Sequence, residues 1–350
     1  MAGRGGAERV EAFCRAVWRH DDATIAALAG RVDPNGADRW GHTPLLMAAT
    51  YGDRALVARL VERGAEVDQG RTHLTPLTLA ARRREADIVD LLRGRGARLS
   101  IVTAIYLGDR DRVARDLEGD PALAQLRDEE GTPILHHAAM ALAPEMVALL
   151  LDRGAAIDEA APDGETALHR VADLRRAPQP AAGAMAAFLL DRGATIDAKN
   201  RFDVTPLHDA VRARNLAVVE VLLGRGAHAN ARDKRGSTPL RRAVSATGAG
   251  DTAGTSELMA PLTRILLAHG ADPDARDRRG VPVHASARAA DVKAVLAEHR
   301  ASASTPASPR SARRSPAPRR SPRSRPKRAP RRRGRRRRSP SRGRRARGDQ

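Results

Sequence analysis

Along most of this chain, apolar residues recur three and four positions apart in short stretches, and polar segments rich in Gly and Asp separate them. One stretch displays the pattern in full. Leu207, Ala210 and Val211 fall on one face of a helix, and Val218, Val219, Leu222 and Leu223 fall on one face of a second helix over roughly 216–223. Ahead of the first, Thr205 can accept a backbone N–H, and Pro206 occupies the first turn, where no N–H is needed. Gly226 closes the second helix in left-handed backbone, which a residue with a Cβ adopts only at a cost. Asp233-Lys234-Arg235-Gly236 then supplies a turn before Thr238 opens the next stretch. The predicted unit is helix, short turn, helix, and a projecting hairpin-like loop.

The unit repeats. Leu-Leu-x-x-Gly-Ala recurs in near form at 60–65, 91–97, 150–155, 189–194, 222–227 and 266–271. Thr-Pro-Leu or a variant sits at Thr43, Thr75, Thr132, Thr166, Thr205 and Thr238, with intervals of 32 residues (43 to 75) and 33 residues (205 to 238) where no insertion intervenes. Two such short helices cannot bury their apolar faces alone, so neighbouring units must stack. "DRWGHTPLLMAATYGDRALVARLVERGAEVD" (38–68) and "NRFDVTPLHDAVRARNLAVVEVLLGRGAHAN" (200–230) resemble the ankyrin repeat closely. The resemblance covers about residues 8–300 and implies an all-α solenoid of about eight units plus an N-terminal cap.

The units begin near 38, 70, 99, 128, 161, 200, 233 and 277, after a capping pair over 8–30 with Phe13, Val17 and Leu28 turned inward. In the third, Leu99-Ser100 runs straight into "IVTAIYLGDRDRVARDL", so its preceding loop is shortened. Asp173–Gly183 and Ala246–Glu257 read as insertions that should emerge as surface loops. "RRGVPVHASARAADVKAVLAEHR" is a degenerate last unit, as expected of a terminal cap, and residues 1–7 read as a flexible start.

The resemblance also implies a function class: a partner protein bound in the concave groove of loop tips and first helices. The matching positions here are Arg39, Trp40, His42 and Tyr51 in the first unit, Arg71, Arg82 and Arg83 in the second, and Tyr106 in the third. Trp, Tyr and Arg are the types enriched at binding hot spots. Arg201, Phe202, Lys234 and Arg235, with Arg278 and Arg279, make the later tips basic, which favours an acidic partner surface.

Charge changes the picture at one end. The chain carries a formal +20, of which residues 301–350 hold +19 and the other 300 residues only +1. Of those last 50 residues, 46 are Arg, Pro, Ser, Ala or Gly, so 301–350 reads as a disordered basic tail. Its densest run, Arg331, Arg332, Arg333, Arg335, Arg336, Arg337 and Arg338, should bind polyanions such as nucleic acid with little sequence preference. With no aromatic residue interleaved, base stacking is not available to it. An alternative therefore stands beside the groove: a nucleic-acid-associated protein whose tail is the functional element.

Catalytic chemistry is hard to place on this sequence. No Gly-rich phosphate loop ends in Gly-Lys-Ser/Thr, and Cys14 is the single cysteine, a packed thiol of the cap helix rather than a nucleophile. His169 and His208 follow the Thr-x-Leu phrase, where the family uses His to brace the loop by hydrogen bonds, and no His spacing matches zinc. The expectation is a monomeric binding scaffold without enzymatic activity, cofactor, metal or membrane span. Its expected compartment is the cytoplasm, or the nucleus in a eukaryotic cell.

Overall fold

A computed structural model of the chain describes residues 2–69, 73–175, 178–245 and 256–304. Arg71, the arginine run 331–338 and most of the insertion at 246–257 lie outside the described residues. The described residues form seventeen α-helices and no β-strand.

Helices α1 (Ala2–Arg19) and α2 (Asp22–Ala29) form the cap, with Phe13 and Val17 buried and Leu28 packed against them. The first helix begins at Ala2, ahead of the expected start at residue 8. Seven helix pairs follow: α3 (Pro44–Tyr51) with α4 (Arg54–Glu62), α5 (Pro76–Arg83) with α6 (Ala86–Gly94), and α7 (Ile101–Leu107) with α8 (Arg110–Gly119). Next come α9 (Ile134–Met140) with α10 (Pro144–Asp152), and α11 (Ala167–Ala172) with α12 (Gln179–Asp191). The last two pairs are α13 (Pro206–Ala213) with α14 (Leu216–Gly224), and α15 (Pro239–Val244) with α16 (Met259–Ala268). In the eighth unit the first helix shrinks to a 3-10 turn, His284–Ser286, before α17 (Ala290–Ser304). Odd-numbered helices from α3 to α15 stack in succession as one layer, and each packs against its own partner in the second layer.

The local chemistry of the units is that of the sequence. Thr43, Thr75, Ser100 and Thr238 cap their helices by accepting N–H groups at 3.1–3.2 Å. Gly64, Gly96, Gly154, Gly193, Gly226 and Gly270 end or follow the second helices at φ between 80° and 93°. Loops fold back as hairpins: the amide of Asp38 donates to the His42 carbonyl, and Asn200 and Asp233 do the same to Val204 and Ser237.

Two departures position the site. Of the stretch read as an insertion over 173–183, residues from Gln179 onward belong to α12, which already buries Ala182 and Gly183. Pro180 is tolerated in the first turn, and alanines are the strongest helix formers, so a Pro/Ala/Gly-rich segment opens a helix here. Gly183 lets α14 approach, since a Cβ there would stand 3.0 Å from the Ala217 Cβ. In the third unit, α6 ends at Gly94 and α7 begins at Ile101 under the Ser100 cap, so no finger precedes it. The flanking loops meet across the gap, where the His73 amide donates to the Glu129 carboxylate at 2.8 Å. The apolar core also changes over at this unit: one cluster runs over 10–92 and another over 101–296, with Leu99 and Tyr106 packed against both.

Candidate partner-binding groove

Where the third finger is missing, a depression of about 410 Å³ opens beside the first-layer helices. Its lining comes from the cap and from units one, two, four and five, with no residue of unit three. Leu46 and Met47 of α3, Leu79 of α5 and Met140 of α9 give it an apolar floor. Trp18 and Tyr51 line it as well, and Arg82 supplies a cation. Arg82 is exposed and has no ion pair among the described residues. Trp18 is 65% exposed, because the helix face that buries Val17 and Phe13 turns it away from the core.

Of the residues singled out from sequence, His42, Tyr51 and Arg82 converge on this depression. Tyr51 is half-buried with its ring edge-on to His20 at 5.0 Å. His42 hydrogen-bonds through Nδ1 to Asp38 at 3.1 Å, and its carbonyl accepts the Cys14 thiol at 3.7 Å. Burial, reinforced by the charge of Asp38, pushes that thiol up to about 12, the state of a packed side chain rather than a nucleophile. Trp40 is 58% exposed at the first finger tip beneath the Arg39 guanidinium (4.1 Å), and Arg39 also reaches Glu11 at 3.3 Å. Arg83 points elsewhere and pairs with Glu85 at 3.5 Å.

Tyr106 does not line the depression. It faces a separate cavity between units two, three and four, of about 680 Å³. Its hydroxyl bonds His137 Nδ1 at 3.0 Å, and His137 Nε2 bonds Asp128 at 2.9 Å, so the groove meets Tyr106 only through the imidazole. Burial raises the Asp128 carboxyl, but hydrogen bonds from His137 and the Thr132 and Glu130 amides outweigh it and hold the group below its ordinary value. Arg201, Phe202, Lys234 and Arg235 occupy the tips of units six and seven, outside the depression.

Comparison with known proteins bears on what these units are. A family of ankyrin repeats (3 copies) matches residues 13–103, and a second, ankyrin repeats (many copies), matches 189–243. The repeats are ankyrin repeats. The ankyrin repeat and SOCS box protein 11 of Pongo abelii and of Homo sapiens are each 38% identical over 93 residues, and that of Mus musculus 36% over 98. Each match covers 24% of this chain and 29% of the relative, so the chain spans about three tenths of the length of the curated relatives it matches. Among solved structures, the ankyrin repeat domain of Bcl-3, a member of the IkappaB protein family, is 27% identical over 73% of this chain and 99% of that one (TM-score 0.44). The human ASB11 ankyrin repeat domain is 18% identical over 74% and 98% (TM-score 0.44). Ankyrin-repeat domains are in general protein–protein interaction modules. No helix among the described residues is long and apolar enough to cross a membrane.

The later ankyrin units carry an ion network that the sequence patterns do not isolate. Arg170 pairs with Asp163 (2.7 Å) and Glu165 (3.0 Å), Arg212 with Asp209 (3.0 Å) and Asp173 (3.2 Å), and Arg242 with Asp209 (3.8 Å) and Asp233 (3.0 Å). Asp209, on α13, is 1% exposed, and its second oxygen has no hydrogen-bond partner among the described residues. Burial pushes its carboxyl up to about 7, with Glu165 and Asp173 adding to the rise and Arg212 and Arg242 opposing it. Nothing in the sequence pattern marks Asp209: helical spacing puts it about 200° round from Leu207, off the Leu207–Ala210–Val211 face, and it is buried because α13 is covered on more than one side.

Proposed function

We propose that the chain recognises a partner protein in its ankyrin groove, and that the partner seats an apolar side chain flanked by a carboxylate in the depression left by the missing third finger. The observation that carries this is the pairing of an apolar floor (Leu46, Met47, Leu79, Met140) with one cation, Arg82, that has no ion pair among the described residues. Trp18 and Tyr51 add wide, rigid surface at small entropic cost. Nothing in this reading requires bond making, and the scaffold acts by binding alone.

The test is a nuclease-treated capture with the full chain, followed by affinity measurement on the captured partner. Arg82→Ala and Trp18→Ala should each weaken binding by about 30-fold, the size of a hot-spot truncation near 2 kcal/mol, with the helical CD and melting temperature unchanged. Unaltered affinity in the double variant would end the assignment.

The charge of residues 301–350 supports a second, electrostatic element, attachment of the tail to a polyanion. If the tail neutralises about ten phosphates of duplex DNA, log K should fall against log salt with a slope near −9. A slope near zero means that the tail does not serve as this attachment. Ser308, Ser315, Ser321 and Ser339 precede prolines, and phosphate on each would add about −1.5 to −2 charges and weaken the attachment.

A further inference from the structure

The tips of the ankyrin fingers differ sharply in charge along the row. Units four and five present Glu129-Glu130 and Pro162-Asp163, whereas units six, seven and eight present Arg201-Phe202, Lys234-Arg235 and Arg278-Arg279. In the last three fingers, the acid or amide at the base is spent on the loop itself. Asn200 accepts the Phe202 and Val204 amides (2.8 and 3.1 Å), Asp233 those of Arg235 and Ser237 (2.8 and 2.9 Å), and Asp277 those of Arg279 and Val281 (both 2.9 Å). Asp233 and Asp277 are further neutralised by Arg242 (3.0 Å) and Arg241 (2.7 Å) from α15. The five tip cations are all exposed and make no ion pair among the described residues; Asp203, half-buried, is the acid left among these tips.

The tips are also joined. The Arg201 amide donates to the Asp163 carbonyl (3.1 Å), Lys234 to Phe202 (2.9 Å), and Arg278 to Arg235 (3.5 Å), so each tip is hung on the one before it. Gly236 lies directly under the next finger, where a Cβ would stand 3.1 Å from the Arg278 nitrogen. The backbone of the tips is therefore held in a row of fixed order, and the ordering left to be met on binding is that of the exposed cation side chains. Phe202 stands in the same row, 62% exposed, with its carbonyl held by Lys234 and its ring open to solvent.

We propose that the finger tips of units six to eight are a docking strip for a single-stranded nucleic acid, with phosphates along Arg201, Lys234, Arg235, Arg278 and Arg279 and one base stacked on Phe202. A row of cations with an open aromatic face among them is the arrangement that single strands select. In a duplex, the base faces are covered by their neighbours and offer the ring nothing. An acidic protein would use Phe202 only if it also brought an apolar side chain into register, whereas a single strand brings a flat base with every phosphate. The strip lies outside the depression proposed for the protein partner, so neither site requires the other.

The experiment uses the full chain, with residues 301–350 present in every variant so that their contribution is constant. The probe is a fluorescent 20-nucleotide uridine strand carrying 5-iodouridine, compared with a duplex of equal length and with polyglutamate. Ultraviolet crosslinking should mark the peptide that contains Phe202. Phe202→Ala should weaken the single strand about tenfold and leave the duplex unchanged. Replacing Lys234, Arg235, Arg278 and Arg279 with Gln should make the salt slope for the single strand shallower by about 3, near 0.7 per lost phosphate contact. Arg82→Ala with Trp18→Ala should leave strand binding intact, which separates this strip from the groove. Crosslinks confined to 301–350, or a Phe202→Ala protein that binds the strand as the parent does, would overturn the proposal. So would polyglutamate binding that depends on the four cations while strand binding does not, which would assign the strip to an acidic protein.

Discussion

Between pH 7.5 and pH 5, Asp209→Asn protein should lose about 4 kcal/mol of stability in urea titrations, and the parent protein clearly less. The loss comes from buried histidines at the third position of the first-layer helices. In α11 and α13, His169 and His208 accept the Thr166 and Thr205 amides on Nδ1 (both 3.2 Å). Their Nε2 atoms donate to the Val204 and Ser237 carbonyls of the next finger (both 3.0 Å). That double role requires the neutral ring, because a proton on Nδ1 would face an N–H donor. His136 occupies the same position in α9, but its helix is capped by Pro133, which has neither N–H nor hydroxyl to offer, and among the described residues its Nδ1 has no hydrogen-bond partner. Burial pushes His136 and His208 down to about 4, the Arg242 charge assisting at His208, and it lowers His169 as well.

The sign follows from proton counts. Unfolded histidine takes its proton near 6.5, so below that pH the unfolded chain binds more protons than the folded one. The histidine contribution is whole above 6.5 and falls away toward 4, at about 2 kcal/mol by pH 5 for each of His136 and His208. Asp209 works in the opposite sense. Its folded carboxyl holds a proton up to about 7, against an ordinary value of 3.8, so the folded chain binds more protons in this window and gains stability as the pH falls. Asparagine removes that counterweight. Parallel pH curves for parent and variant would contradict the Asp209 assignment, and a flat curve for the variant would contradict that of the histidines.

The repeat was legible because each of its parts answers to one residue and one backbone requirement. A threonine accepts the free amide at Thr43, a proline fits the next turn at Pro44, and Gly193 or Gly226 takes the left-handed bend. The bracing role of His169 and His208 came from the family resemblance, and their Nε2 bonds to Val204 and Ser237 agree with it. What the pattern could not supply was anything created between units. Trp18 looked like one more residue of a cap helix, and it lines a depression shared with units one, two, four and five. Tyr106, expected in the groove with Tyr51, is drawn instead to His137 across the third and fourth units. The α12 start was misplaced because proline and glycine were read as loop signals, whereas their positions in a first turn and at a helix–helix contact make both compatible with helix. The order of charges on the finger tips was present in the sequence. Its consequence emerged once the tip-to-tip hydrogen bonds showed that the residues form a row.

Gly164→Val should cost about 3–4 kcal/mol, against about 1–2 kcal/mol for Gly193→Val, although the two glycines have nearly the same backbone. Their φ values are 81° and 91°, so the left-handed strain of a valine is common to both. The difference is in what surrounds them. A Cβ on Gly193 meets nothing within 4 Å, and strain is then the whole cost. A Cβ on Gly164 would stand 2.8 Å from the Arg201 nitrogen and 3.2 Å from the Asn200 backbone, atoms that cannot rotate aside. To make room, the sixth finger must lift from the fifth and give up the bond from the Arg201 amide to the Asp163 carbonyl. Urea titration reads the two costs, and amide hydrogen exchange reads their location. Arg201 should exchange much faster in Gly164→Val and at the parent rate in Gly193→Val. Equal destabilisation, with Arg201 protected in both, would mean that the finger tips are not mechanically coupled through this glycine. The cation row of units six to eight would then rest on its own two links, from Lys234 to Phe202 and from Arg278 to Arg235, and not on the fifth finger.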